Sequence, residues 1–92
     1  MTLPRALALL LLLSACAVRA SVHLHQAEQA VALATEQGAE EHAPYEYTLA
    51  LRHLEKAREE AWRGQHRTAE ELAREAVSWA ERASRPVEGA PR

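Results

Sequence analysis

Thr68-Ala69-Glu70-Glu71-Leu72-Ala73-Arg74-Glu75-Ala76-Val77-Ser78-Trp79-Ala80-Glu81-Arg82-Ala83 decides the fold. Ala69, Leu72, Ala73, Ala76, Val77, Ala80 and Ala83 recur at three- and four-residue intervals, which places them on one face of an α-helix. Thr68 and Glu71 have the Thr-x-x-Glu form of a capping box, in which two free backbone donors are satisfied reciprocally. The pattern predicts a helix from about His66 or Thr68 to Ala83.

Working backwards, Gly64 is placed to end a helix from about Pro44 to Arg63. Pro44 suits a first helical turn, where its missing N–H is not needed, and Glu46 lies near the positive end of the helix dipole. The apolar face of this helix is Tyr47, Ala50, Leu51, Leu54, Ala57 and Ala61, and its other side carries Arg52, Lys56, Glu59 and Glu60. Folding the chain about Gly64 gives an antiparallel hairpin. Ala57 then faces Leu72, Leu54 faces Ala76 and Ala50 faces Trp79, so large side chains meet small ones across the seam. Glu59 and Arg63, Glu70 and Arg74, and Glu81 and Arg85 are favourably oriented i, i+4 pairs that support a solvated face.

Upstream, Leu24, Ala27, Val31 and Ala34 share one face of a first helix over Val22 to Glu36, with Ser21 as its N-cap. Gly38 stops it, and Glu40-Glu41-His42-Ala43-Pro44 is the connection. From Ser84 the periodicity dissolves, and Arg85 to Arg92 reads as a disordered tail. The fold class is therefore all-α: a small three-helix bundle over residues 22–83, made of a helical hairpin and one N-terminal helix.

Ahead of the bundle, Met1 to Arg5 carries one positive charge and Ala6 to Leu13 is unbrokenly apolar. The uncharged run between Arg5 and Arg19 would rise roughly 20 Å as a helix, short of the ~30 Å hydrocarbon core. It reads as a secretory signal. Leu13-Ser14-Ala15-Cys16 closes the run and matches the lipobox pattern of bacterial lipoproteins: Leu at −3, small residues at −2 and −1, then Cys. Residues 1–15 would be removed, Cys16 would carry the lipid, and residues 16–21 would form a short tether. Lipidation also explains a lone cysteine in an exported chain. Two other outcomes stay open: cleavage after Ala20, where Val18 and Ala20 form a small-residue site, and an uncleaved anchor. Ala17 rather than Asp after the cysteine leans, by analogy with lipoprotein sorting, towards the outer membrane.

Composition excludes more than it assigns. The full chain has 11 basic and 13 acidic residues, and the mature chain, without Arg5, stands near −3. No basic footprint for nucleic acid is present. The acidic residues are all Glu, and no Ser lies in a nucleophile motif. No glycine-rich phosphate loop occurs either, so no catalytic residue is assigned and no enzyme or cofactor is expected. The five histidines lack the i, i+4 spacing that would put two imidazoles on one helical face, so no metal site is expected. Trp62, at the edge of its helix face, and Trp79, on the side of Leu72 and Ala76, have two readings. Either they complete a core poor in large side chains, or one or both stand exposed as partner-binding anchors. Tyr47 is expected to pack and Tyr45 to face water. So thin a bundle has little to set against its ordering entropy, which leaves self-association open.

The residues Gly38-Ala39, Ala43-Pro44-Tyr45-Glu46, Leu54-Glu55-Lys56-Ala57, Gly64, Ala69, Leu72-Ala73, Ala76 and Ala80 resemble a domain-of-unknown-function family. Its members are small bacterial lipoproteins, and its domain also precedes OmpA-like peptidoglycan-binding domains in longer proteins. The similarity covers roughly residues 22–83 and implies an envelope-facing helical domain. No OmpA-like module follows in this sequence, so contact with the cell wall would fall to these helices or to a peptidoglycan-associated partner. Gly64, Ala69 and Ala76 are also similar in spacing to a tetratricopeptide helix pair, of which a single unit is present. The expectation is a non-catalytic, lipid-anchored interaction or scaffold module on the periplasmic side of the outer membrane. A soluble periplasmic binding or inhibitor protein released after Ala20 is the alternative.

Overall fold

Between Pro4 and Gly38 no Gly or Pro interrupts a sequence rich in Leu, Ala, Glu and Gln, all good helix formers. The computed structural model, which describes residues 4–85, shows the result: one helix, α1, runs over Arg5–Glu36. Pro4 stands at its N-cap, and the Pro4 carbonyl accepts from the Leu7 and Ala8 amides. This corrects two expectations. Ser21 is not an N-cap but an interior helical residue, and Arg19-Ala20-Ser21 is not a loose tether but part of the same rod. The physical reason is that nothing between the apolar N-terminal segment and the bundle disfavours helix, so propagation continues once nucleation has been met.

Gly38 ends α1 with φ of 77°, a conformation that costs glycine nothing. The expected connection is itself helical: α2 is a single turn, Ala39–His42. It cannot continue into the next helix because Pro44 pushes the residue before it out of the helical region, and Ala43 sits at φ −140°, ψ 57°. Helix α3, Pro44–Trp62, then starts with proline in its first turn, as expected. It closes in a Schellman motif: the Gln65 amide donates to the Glu60 carbonyl at 2.8 Å, the Gly64 amide to Ala61 at 3.0 Å, and Gly64 takes φ of 82°. Helix α4 covers His66–Ser84. Gln65 occupies its N-cap without a side-chain bond, so Thr68 lies inside the first turn and the capping box does not form. The tight Gly64-Gln65 reversal leaves room for the helix to begin two residues before Thr68. The chain is all-α, with no strand among the described residues. Of the expected tail, residues 86–92 lie outside the described residues.

The three long helices alternate in direction. Glu75 of α4 meets His53 of α3 (2.9 Å), Arg58 of α3 meets Glu28 of α1 (3.5 Å), and Glu70 of α4 meets Arg19 and His23 of α1 (3.4 and 3.2 Å). Hence α3 is antiparallel to both others, and α1 and α4 run parallel. Helix α4 packs on both of the others, while α1 and α3 touch less. The first helix therefore docks on the hairpin.

Why the helices sit this way follows from their small residues. Buried positions on α4 are Ala69, Ala73, Ala76, Ala80 and Ala83, all fully covered, at alternating steps of four and three. Tyr47, Ala50, Leu54 and Ala57 continue the same step on α3, and Ala27, Val31 and Ala34 on α1. A repeat of 3.5 residues is the left-handed bundle pattern. Twelve of the fifteen buried side chains are Ala, so the backbones can approach towards the short end of the 8–10 Å interaxial range. Leu72, Val77 and Trp79 pack at the margin of this core. Leu51, expected on the buried face, is 40 % exposed because it falls one position off the 3.5 step.

Tyr47 packs in the core, and its hydroxyl lies 2.7 Å from Thr35 Oγ1. Thr35 donates its own proton to the Val31 carbonyl at 2.9 Å, so Tyr47 is the donor across the α1–α3 seam. Tyr47→Phe is expected to cost about 1 kcal/mol, read as a lower urea midpoint with unchanged helicity.

Candidate functional site

The bundle has two chemically different ends. The first is where α1 enters. Leu7 and Leu9 to Leu13 stand exposed along α1, as do Ser14, Ala15 and Cys16. Ser14 Oγ bonds back to the Leu10 carbonyl at 3.0 Å, an ordinary helix contact. Among the described residues the first to be buried is Ala20, 2 % exposed and one turn beyond Cys16. By length and composition this helix could cross a membrane, a test that a signal sequence near an N-terminus also passes.

Cys16 opens on a groove of about 430 Å³ lined with Arg19, His66, Arg67, Glu70, Glu71 and Arg74. Its organising group is Glu70, whose carboxylate receives Arg74 at 2.9 Å, His23 at 3.2 Å and Arg19 at 3.4 Å. Glu70 and Arg74 form the i, i+4 pair that the sequence suggested. The long-range partners on α1 could not be read from spacing. Three donors on one largely covered carboxylate fix α1 against the start of α4 just beyond Cys16. Beside them, His66 Nδ1 is buried without a hydrogen-bond partner.

The α3–α4 turn stands at this same end. Trp62, the last residue of α3, is 92 % exposed. Arg63 pairs with Glu60 at 3.3 Å instead of with Glu59, which turns to Lys56 at 3.3 Å. Among the described residues no ion pair joins Glu81 and Arg85.

At the opposite end, Trp79 is half-buried against the core. The Tyr45 ring meets it edge to face, with centroids 6.0 Å apart at 89°, and the Arg82 guanidinium lies 4.6 Å over its ring. Edge-to-face pairs and cation–π contacts each contribute about 0.5–1 kcal/mol. Tyr45 itself is 67 % exposed, as expected, so the stack is accessible from one side. The two tryptophans thus separate into the two readings: Trp79 completes the core margin and Trp62 stands in solvent. Their distance follows from α3, a helix of 19 residues and so roughly 28 Å long.

His42 and His53 serve the scaffold. His42 Nε2 lies 3.2 Å from the Ala83 carbonyl near the end of α4, and His53 joins the Leu49 carbonyl at 2.7 Å to Glu75. Among the described residues, no group of three or more His, Cys, Asp or Glu side chains is placed to hold a metal ion.

A family model described as a domain of unknown function, DUF4398, matches residues 22–89. No curated protein and no solved structure matches the chain.

Proposed function

We propose that this chain, which belongs to the DUF4398 family of domains of unknown function, is a non-catalytic, lipid-anchored interaction or scaffold module of the bacterial cell envelope. It is held through Cys16 on the periplasmic side of the outer membrane. The observation that carries the reading is the position of Cys16. It is exposed on the last helical turn before burial begins, where the apolar segment gives way to the packed bundle. Cleavage before Cys16 removes exposed leucines and, among the described residues, no buried side chain. Cleavage after Ala20, the soluble alternative, removes a core alanine and the Arg19–Glu70 pair. That difference favours lipidation. A lipoprotein cysteine with several acyl chains is held firmly, since a single chain gives only marginal binding.

The partner-facing feature in this reading is the Tyr45–Trp79–Arg82 stack at the far end from Cys16. Trp, Tyr and Arg are the residue types that dominate binding hot spots. An envelope protein, one associated with peptidoglycan included, is the partner class.

The test is the mass of the N-terminal peptide of the mature protein recovered from membranes, beside a Cys16→Ser control. The expected result is a peptide beginning at acylated Cys16, with the Cys16→Ser chain unprocessed and without lipid. A peptide beginning at unmodified Ser21 would overturn the anchored reading and make the soluble binder the conclusion.

A further inference from the structure

Trp62 has no packing role that explains a tryptophan. Among the described residues it is the most exposed large apolar side chain, and it closes α3 at the turn. Its surroundings are basic on the outside and acidic on the inside. Arg63 and Arg67 follow it, with side chains 63 % and 94 % exposed, and Arg19 of α1 is 68 % exposed. The carboxylates of Glu60 and Glu70 lie beneath, 13 % and 17 % exposed, each already bound by two or three basic groups. Glu71 lies 4.0 Å from Arg67 and offsets one charge. His66 and Arg67 share their groove with Cys16 and Arg19, so this end of the bundle is level with the point where the apolar segment ends.

An indole ring with arginines at its rim is the chemistry of a membrane–water interface: the ring lies at headgroup depth and the guanidinium groups reach phosphates. We propose that the α3–α4 turn is a lipid-contact surface, on which Trp62 inserts at the headgroup level of an anionic bilayer and Arg63, Arg67 and Arg19 bind lipid phosphates. The bundle is thereby seated end-on beside its anchor. The inference rests on the membrane-held reading of Cys16, and it deepens that reading by assigning the surface next to the anchor to lipid and the opposite end to protein.

The experiment uses the full chain with Trp79→Phe, which leaves Trp62 as the sole tryptophan. It is reconstituted through its apolar segment into vesicles of phosphatidylethanolamine and phosphatidylglycerol, or of phosphatidylcholine alone. The expected result is blue-shifted Trp62 emission, quenched by brominated acyl chains more strongly in the anionic vesicles, with the quenching lost in R63E/R67E. Emission typical of water-exposed indole and insensitive to brominated lipid overturns the proposal and returns Trp62 to a protein partner. So does quenching that R63E/R67E leaves unchanged. Should Trp79→Phe unfold, the difference between the unaltered chain and Trp62→Phe gives the same readout. Because the reconstitution does not need an acyl group, a failure of lipidation appears only in the N-terminal peptide mass and not in this measurement.

Discussion

Leu54→Ala is expected to lower stability by about 2–5 kcal/mol, enough to leave the bundle largely unfolded at 25 °C. Leu54 is 3 % exposed and is the one leucine among the buried side chains of the described residues, which are otherwise Ala apart from Val31 and Tyr47. The cost of such a truncation depends on how far neighbours collapse into the space left behind. Alanines cannot: their methyl groups have no rotamer to change, and the backbones behind them are already close. The hole therefore stays. A small domain of this kind has a core that rarely supplies more than about 3–5 kcal/mol, so one side chain carries a large share of it. Urea unfolding followed by circular dichroism is the measurement. Leu33→Ala, at a position 50 % exposed, should move the midpoint little. Equal losses at the two positions would show that the core is not where the burial pattern puts it.

The reverse substitution tests the same seam from the other side. Ala76→Leu should destabilise by about 1–3 kcal/mol or more, although leucine is a good helix former and adds apolar surface. Ala76 is fully covered near the middle of α4, the helix that packs on both of its long neighbours. Added volume there has to push two helices apart, and the Glu70 and Glu75 contacts to α1 and α3 loosen with them. The signature is a lower melting temperature with the starting helicity intact. An unchanged or raised melting temperature would mean that the helices are not in close backbone approach.

Much of this fold is legible in the sequence because alanine at a 3.5-residue step leaves few alternatives. The α4 face, the α3 face from Tyr47 to Ala57, Gly38 and Gly64 as stops, and Pro44 as a start are local signals with local causes. What was not legible has physical reasons too. The sequence pattern starts the first helix at Val22 with Ser21 as its cap, because a processing site suggests a structural boundary, but the backbone responds to propensity, which continues unbroken through Cys16. Thr68 has the chemistry of a cap. Where a helix starts, however, is set by the turn before it, and the Gly64–Gln65 reversal ends earlier.

The candidate sites divide in the same way. Cys16 and the proposed lipobox, Leu13, Ser14 and Ala15, are read from a linear pattern. Trp62 and Trp79 are found from the sequence as residues, but their opposite fates depend on angular phase: Trp79 falls beside the Ala76–Ala80 line and Trp62 off the Leu54–Ala57 line. The gathering of Arg19, His23 and Arg74 on Glu70 joins residues up to 51 positions apart, which no spacing rule relates.

An odd number of long helices has a mechanical consequence. A chain that goes up, down and up again enters at one end and leaves at the other, whereas a two- or four-helix bundle returns its exit to the side of its entry. In the proposed anchored state the domain acts as a spacer. Helix α4, at 19 residues, sets its length at roughly 28 Å, and its last residue lies at the end of the bundle opposite Cys16. With the proposed anchor at Cys16, the end of α4 is held at that standoff from the bilayer, and because α1 runs without a break through Cys16 into the bundle, the standoff is stiff.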